Sequence, residues 1–178
     1  MKKILTLIAT VFLAIGAFAQ KSVPQRLEIA TIDVEQTGTS LEVFYMPKDS
    51  INHYYLSVGH PGFGDDIIQL QIDPVSELFI PLGDSLDDAI EFLKQLQALY
   101  KGEVGDSIEV DACISVLFPD ESKFEKATVT LIKPLLTRTL EFSISRKGYS
   151  RASHVPKSDF NSIVSSTKFV RKLRPKLK

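Results

Sequence analysis

The amino-acid sequence predicts an α+β protein with one domain: a mainly antiparallel sheet of about eight short strands, a central helix and a C-terminal helix. Short stretches of alternating or apolar residues recur between turn residues, which is typical of strands. Two longer stretches carry apolar residues at helical spacing. Because strands and helices do not alternate regularly, the sequence does not favour a parallel, nucleotide-binding sheet.

Length and composition agree with one globular domain. The chain has 178 residues, of which 44% are hydrophobic and 24% are charged, and these values are ordinary for globular proteins. Its single cysteine, Cys113, excludes an intrachain disulfide framework and any metal cluster built from several cysteines.

Residues 1–19 are predicted to lie outside the fold. Two lysines precede an uncharged, mostly apolar run of fifteen residues, which is shorter than the roughly 20 residues that a membrane-spanning helix needs. Small residues then occupy the positions that signal peptidase recognises, so the segment resembles a bacterial secretory signal peptide. We expect export to the periplasm or the cell exterior, with no transmembrane segment left after cleavage. The predicted cleavage residues are Ala17, Ala19 and Gln20.

The single domain, residues 27–178, is expected to follow a flexible leader, residues 20–26. Its first half consists of short segments with strand patterns. Ile68, Leu70 and Ile72, for example, alternate with glutamines, which indicates a half-buried strand. The strands predicted here are Leu27–Val34, Leu41–Met46, His53–Val58, Asp66–Ile72 and Glu77–Leu82.

The clearest helix is predicted to follow these strands. Asp84 or Ser85 can cap its first turn, where Asp87 and Asp88 also interact favourably with the helix dipole. Gly102 suits a left-handed C-terminal cap. The residues expected on the buried stripe are Leu86, Ala89, Ile90, Leu93, Leu96, Gln97 and Tyr100.

The second half is predicted to contain three more strands and a last helix introduced by Pro156 and Ser158. On the first of these strands, alternation places Cys113 on the same face as carboxylates that disfavour its thiolate, so we expect a structural role for this residue. The strands are Ile108–Phe118, Phe124–Lys133 and Thr139–Ser145. The helical stripe comprises Phe160, Ile163, Val164, Thr167, Val170 and Leu173.

Charge divides sharply between the body and the C-terminal end. Residues 20–145 carry 9 Lys or Arg and 21 Asp or Glu, a net charge of −12. Residues 146–178 carry 10 Lys or Arg and one carboxylate, Asp159, a net charge of +9. The cations in this end that are expected to contact an anion or a partner are Lys168, Arg171, Lys172, Arg174, Lys176 and Lys178.

The basic end has three interpretations. Its cations can interact with the negative end of the helix dipole and with carboxylates of the acidic body. They can instead contact an external anion: membrane phosphate, a polysaccharide or an acidic protein surface. Nucleic acid is disfavoured, because the acidic body repels phosphate and Phe169 is the one aromatic residue near the cations.

No enzyme site emerges from the sequence. The glycine-rich segment after the third predicted strand lacks the Lys-Ser or Lys-Thr of a phosphate loop, so we interpret it as a turn. His53, His60, Asp65 and Asp66 lack the spacing of metal ligands. His154 lies near serines, but no nucleophile elbow occurs. The sequence therefore predicts no catalytic residue, no metal site and no cofactor.

We expect a small exported protein with a non-enzymatic binding or structural role, whose basic C-terminal end contacts an anionic surface or partner. The alternative is a secreted hydrolase whose active site is assembled from dispersed residues. Convergence of His60, Asp65, Asp66 and His154 in space would favour this alternative.

Overall fold

A computed structural model describes residues 24–34, 39–59, 76–146 and 149–174; for residues 146 and 149–151 it describes the backbone alone. Within these ranges the chain forms four strands and a helix, and then four strands and a helix again. The α+β class with a central and a C-terminal helix is confirmed.

The strands are β1 (Leu27–Val34), β2 (Thr39–Lys48), β3 (Ile51–Gly59), β4 (Glu77–Gly83), β5 (Ser107–Ser115), β6 (Glu125–Ile132), β7 (Thr139–Arg146) and β8 (Tyr149–Pro156). The helices are α1 (Leu86–Leu99), α2 (Lys157–Leu173) and a short 3-10 turn, Glu121–Lys123.

The eight strands form one antiparallel sheet in which neighbours in sequence are neighbours in space. The two halves of the sheet meet at β5. Its first part pairs with β6, from Ser107 opposite Thr130 to Ala112 opposite Glu125. Its last three residues pair with β4, where Leu78 lies opposite Ile114. This change of partner within β5 joins the two four-strand units.

Both helices pack on one face of the sheet and close the main core. Leu86, Leu93 and Leu96 of α1 are fully buried against apolar residues of both halves of the sheet. From α2, Phe160 and Ile163 enter the same core. The helices lie antiparallel: the start of α1 contacts the end of α2, and the end of α1 contacts the start of α2. Burial of this shared apolar surface is the main stabilising contribution.

The opposite face of the sheet carries a smaller aromatic cluster, in which Phe44, Tyr55, Phe79 and Cys113 are buried together. Arg26, the last residue of the predicted leader, covers this cluster. Its guanidinium lies 4.4 Å from the centre of the Phe44 ring, a favourable cation–π distance. It also donates hydrogen bonds to carboxylates of β2 and β4 and to the carbonyl oxygen of residue 117.

Helix α1 begins as the sequence predicts but ends differently. Ser85 is the N-cap, since its side chain accepts a hydrogen bond from the amide of Asp88. Gly102 is not left-handed, so that expectation is wrong: Tyr100 is the C-cap in a right-handed conformation. A Cβ atom at Gly102 would contact a carboxylate oxygen of Asp106, so a larger residue there would displace the Asp106 side chain.

Strand β8 has no counterpart among the strands that the sequence predicts. Every strand predicted within the described residues is present, whereas the predicted strand Asp66–Ile72 lies outside them. In β8 the buried positions include Ser153, a polar residue that breaks the expected apolar alternation. Its hydroxyl donates a hydrogen bond of 3.1 Å to the carbonyl oxygen of Gly59, which satisfies the buried group.

Within the described ranges, neither helix is long and apolar enough to cross a membrane.

Candidate anion-contact site

The last turns of α2 form the basic surface that the sequence singled out. The buried stripe of this helix ends at Thr167, and Val170 is half-buried. Phe169 and Leu173 follow on the outer side, with 60% and 64% of their surface exposed. The basic residues beside them therefore project from a helix end whose apolar side chains are themselves open to solvent.

Arg171 behaves differently from its neighbours because of its position on the helix. Its spacing from Val164 and Thr167 places it above the buried stripe, where it reaches over to the start of α1. Its Nε and Nη2 atoms donate to the two carboxylate oxygens of Asp87 at 2.7 and 2.8 Å. These hydrogen bonds and the positive charge lower the pKa of Asp87, and the carboxylate raises the pKa of Arg171 above its ordinary value.

The remaining cations are placed differently. Lys172 and Arg174 are exposed and Lys168 is half-buried. Among the described residues, no carboxylate lies within ion-pair distance of any of these three side chains. Lys176 and Lys178 lie outside the described residues. Arg171 therefore pairs with a carboxylate of the acidic body, as the first interpretation of the basic end expects. Lys168, Lys172 and Arg174 do not fit that interpretation.

The two helix dipoles reinforce this arrangement. Asp87 and Asp88 lie in the first turn of α1, whereas Arg171 and Lys172 lie in the last turn of α2. Acidic residues at a helix start and basic residues at a helix end both interact favourably with the dipole. Because the helices are antiparallel, these opposite charges meet at the same end of the helical layer.

The histidines form separate pairs. The Nδ1 atom of His53 lies 2.7 Å from a carboxylate oxygen of Asp84, at the entry to α1. On the outer strands, the Nε2 atom of His154 lies 3.0 Å from Glu141, the residue opposite it in the β7–β8 register. His60, Asp65 and Asp66, together with the cleavage residues Ala17, Ala19 and Gln20, lie outside the described residues.

Cys113 is fully buried among aromatic rings. Its Sγ atom accepts a hydrogen bond of 3.3 Å from the amide of Asp120. As alternation predicts, it shares a strand face with Glu109 and Asp111, whose side chains are exposed farther along β5. Burial of the thiol among rings fits the structural role that we expected.

Sequence reasoning missed a groove of about 840 Å³ on the face of the sheet opposite the helices. Lys48 and Glu121 form an ion pair of 3.0 Å at this groove. Tyr55 lies beside them, and burial followed by the negative charge of Glu121 raises its pKa to about 12. The walls come from the β2–β3 turn and from residues 115–122, which are far apart in sequence, so no local motif could have indicated the groove.

In the part of the chain that the structure describes, no group of three or more metal-ligating side chains comes together. No protein-family model, curated protein or solved structure matches the chain significantly. Its function is therefore inferred from its own residues.

Proposed function

We propose that this chain is a small exported protein with a non-enzymatic binding role, and that the basic end of α2 contacts an anionic surface or partner. The observation that supports this proposal is the difference among the cations of α2. Arg171 pairs with Asp87, whereas Lys168, Lys172 and Arg174 have no carboxylate partner among the described residues. Unneutralised cations on an acidic protein form a local positive surface that attracts anions.

The geometry also explains how the surface keeps its shape. The Arg171–Asp87 pair ties the last turn of α2 to the start of α1. The final backbone hydrogen bond, from the amide of Arg174 to the carbonyl oxygen of Val170, measures 2.8 Å. The neighbouring cations are thus presented on an ordered helix end, so an anionic partner does not have to order the helix itself.

The test is reversal of the three unpaired cations, Lys168→Glu, Lys172→Glu and Arg174→Glu, with Arg171 left intact. Immobilised heparin serves as the polyanion. We expect the parent protein to be retained at low salt and released as salt rises, because the Debye length falls from about 10 Å at 0.1 M to about 3 Å at 1 M. The reversed variant should pass through unretained.

A matched control reverses three exposed cations elsewhere: Lys94→Glu, Lys101→Glu and Lys123→Glu. It changes the net charge by the same amount but leaves α2 untouched, so most of the retention should persist. If the α2 variant and the parent elute at the same salt concentration, the proposed site is wrong. Urea melts of both variants check that the fold is retained.

Export is tested separately by intact-mass analysis of the protein recovered from its native cell. The proposal predicts a chain that begins at Gln20. Recovery of a chain that still begins with Met1 in the membrane fraction would contradict it.

A further inference from the structure

The hairpin between β6 and β7 carries the most exposed apolar residues of the described chain. Leu135 is 96% exposed and Leu136 is 88% exposed, and we call this pair the leucine tip. Val104, 57% exposed, lies in the neighbouring loop, which is joined to β6 by a hydrogen bond of 2.8 Å from the amide of Gly105 to the carbonyl oxygen of Leu131. Adjacent large apolar side chains that are this exposed indicate an interaction surface.

The backbone holds the leucine tip in place despite a local cost. Leu135 has a φ of +56°, a left-handed conformation that brings its Cβ atom close to a carbonyl oxygen. The turn is closed by a hydrogen bond of 3.2 Å from the amide of Thr137 to the carbonyl oxygen of Pro134. At its base, Arg138 donates three hydrogen bonds to the carbonyl oxygens of Tyr100 and Gly102. A strained, anchored turn that exposes two leucines favours a role for them.

Charge around the leucine tip differs from that of the acidic body. Residues 127–140 contain two cations, Lys133 and Arg138, and no carboxylate. Lys157 is adjacent, because its amide donates to the carbonyl oxygen of Arg138 at 3.0 Å. The nearest loop does contain the exposed residues Glu103 and Asp106, and the Asp106 carboxylate accepts a hydrogen bond of 2.7 Å from the amide of Glu103. Residues 133–138 of the hairpin therefore carry apolar and positive side chains and no carboxylate, whereas the adjacent loop carries two carboxylates.

We propose that the leucine tip inserts into the interface of a membrane that contains anionic lipid. A projecting pair of leucines with lysine and arginine at its base matches the depth profile of a lipid interface, with acyl chains below and phosphates above. Two adjacent, highly exposed leucines can also enter a fluid surface, which needs no preformed pocket. The surface is independent of the α2 site, because it lies at the Lys157 end of α2 and the unpaired cations lie at the other end.

The first test uses the absence of tryptophan from the sequence. Leu136→Trp introduces a single fluorescent reporter at the leucine tip. We expect its emission to shift to the blue with phosphatidylcholine vesicles that contain phosphatidylglycerol, less so with phosphatidylcholine alone, and brominated acyl chains should quench it. Leu117→Trp is the control, because Leu117 is 64% exposed at the groove on the face of the sheet opposite the helices. The emission of this tryptophan should not change.

The second test measures binding to the same anionic vesicles by sedimentation. The double variant Leu135→Ser/Leu136→Ser should bind about tenfold more weakly or worse, since burial of one leucine is worth at least a factor of ten. Leu117→Ser should bind like the parent. Both variants should elute from heparin at the parent's salt concentration, so failure of the leucine tip is distinguished from failure of the α2 site.

Two outcomes would overturn the membrane proposal. One is an emission spectrum of the Leu136→Trp variant that is unchanged by anionic vesicles. The other is a blue shift that grows with protein concentration in the absence of lipid, which would assign the leucine tip to contacts between copies of the chain.

Discussion

The two ends of the α1–α2 pair are fastened by different chemistry. At the Tyr100 end, where α1 stops and α2 begins, Tyr100 is 1% exposed and its hydroxyl donates a hydrogen bond of 2.7 Å to the carbonyl oxygen of Val155. The Tyr100 and Phe160 rings lie 5.8 Å apart, and Gln97 donates to Asn161 at 2.7 Å. Apolar burial, one buried hydrogen bond and one part-buried hydrogen bond therefore act together at this end.

At the Arg171 end, where α1 begins and α2 stops, the helices are joined by the exposed ion pair between Arg171 and Asp87. Phe169 and Leu173 remain largely in solvent. Exposed ion pairs contribute little to stability, because water and salt screen them and the side chains lose freedom. The Tyr100 end therefore stabilises the fold, whereas the Arg171 end leaves its surface available for contacts.

The largest effect that tests this comparison comes from two phenylalanines of the same helix. Phe160→Ala removes a fully buried ring at the Tyr100 end and should lower the free energy of unfolding by about 3–5 kcal/mol. Phe169→Ala, at the Arg171 end, should change it by no more than about 0.5 kcal/mol, as surface substitutions usually do. Urea melts measure the free energy of unfolding of both variants. Similar losses would show that the two ends contribute equally to stability.

A second effect concerns Leu93, which lies between the two ends and is fully buried. Leu93→Ala should cost about 2–5 kcal/mol, the range for truncation of a packed leucine. The control is Glu91→Ala on the exposed face of α1, with an expected change within about 0.5 kcal/mol. Equal midpoints for these two variants in urea would mean that the buried face of α1 is assigned wrongly.

A smaller effect is expected from Tyr100→Phe, which keeps the ring and removes the hydroxyl that binds the carbonyl oxygen of Val155. The cost should be about 1–3 kcal/mol, because a buried acceptor loses its partner. Tyr45→Phe is the control, since Tyr45 is half-buried at the sheet surface and should tolerate the change within about 0.5 kcal/mol. Thermal unfolding of the pair compares them, and an unchanged Tyr100→Phe protein would argue against the buried hydrogen bond.

The smallest effect is expected at the ion pair itself. A double-mutant cycle with Asp87→Asn and Arg171→Gln should give a weak coupling at low salt that disappears at 1 M salt. The folded protein holds the pKa of Asp87 below its ordinary value. The contribution of the pair is therefore fully present above the pKa of the unfolded chain, about 3.9, and is lost as the pH falls through the folded value.

A coupling energy that persists at 1 M salt would show that the ion pair stabilises the fold much as the buried contacts of the Tyr100 end do. The cycle also checks the α2 site, because the Arg171→Gln variant should keep its retention on heparin if the unpaired cations carry it. Loss of retention in that variant alone would assign the attraction to Arg171.

The sequence by itself determined the elements whose signals are local. Helical periodicity and a cap at Asp84 or Ser85 located α1, and the stripe that begins at Phe160 located the buried face of α2. The stripe was wrong at Leu173, which is exposed. Alternation located seven strands, including the β5 residues that face the main core. The uneven distribution of charge was likewise visible as a count. Each of these features depends on residues a few positions apart.

Other features depend on residues that are distant in sequence, and these became visible in the tertiary structure. The buried hydroxyl of Ser153 in β8 donates to the carbonyl oxygen of Gly59, and nothing in the local pattern indicates that partner. Arg171 is distinguished from Lys168, Lys172 and Arg174 only by the antiparallel packing that brings Asp87 within 3 Å of it. The exposure of Leu135 and Leu136 likewise belongs to a turn at a hairpin tip, where none of the described helices and strands covers them. Periodicity fixes which face of an element is apolar, whereas long-range packing fixes which groups on that face find partners.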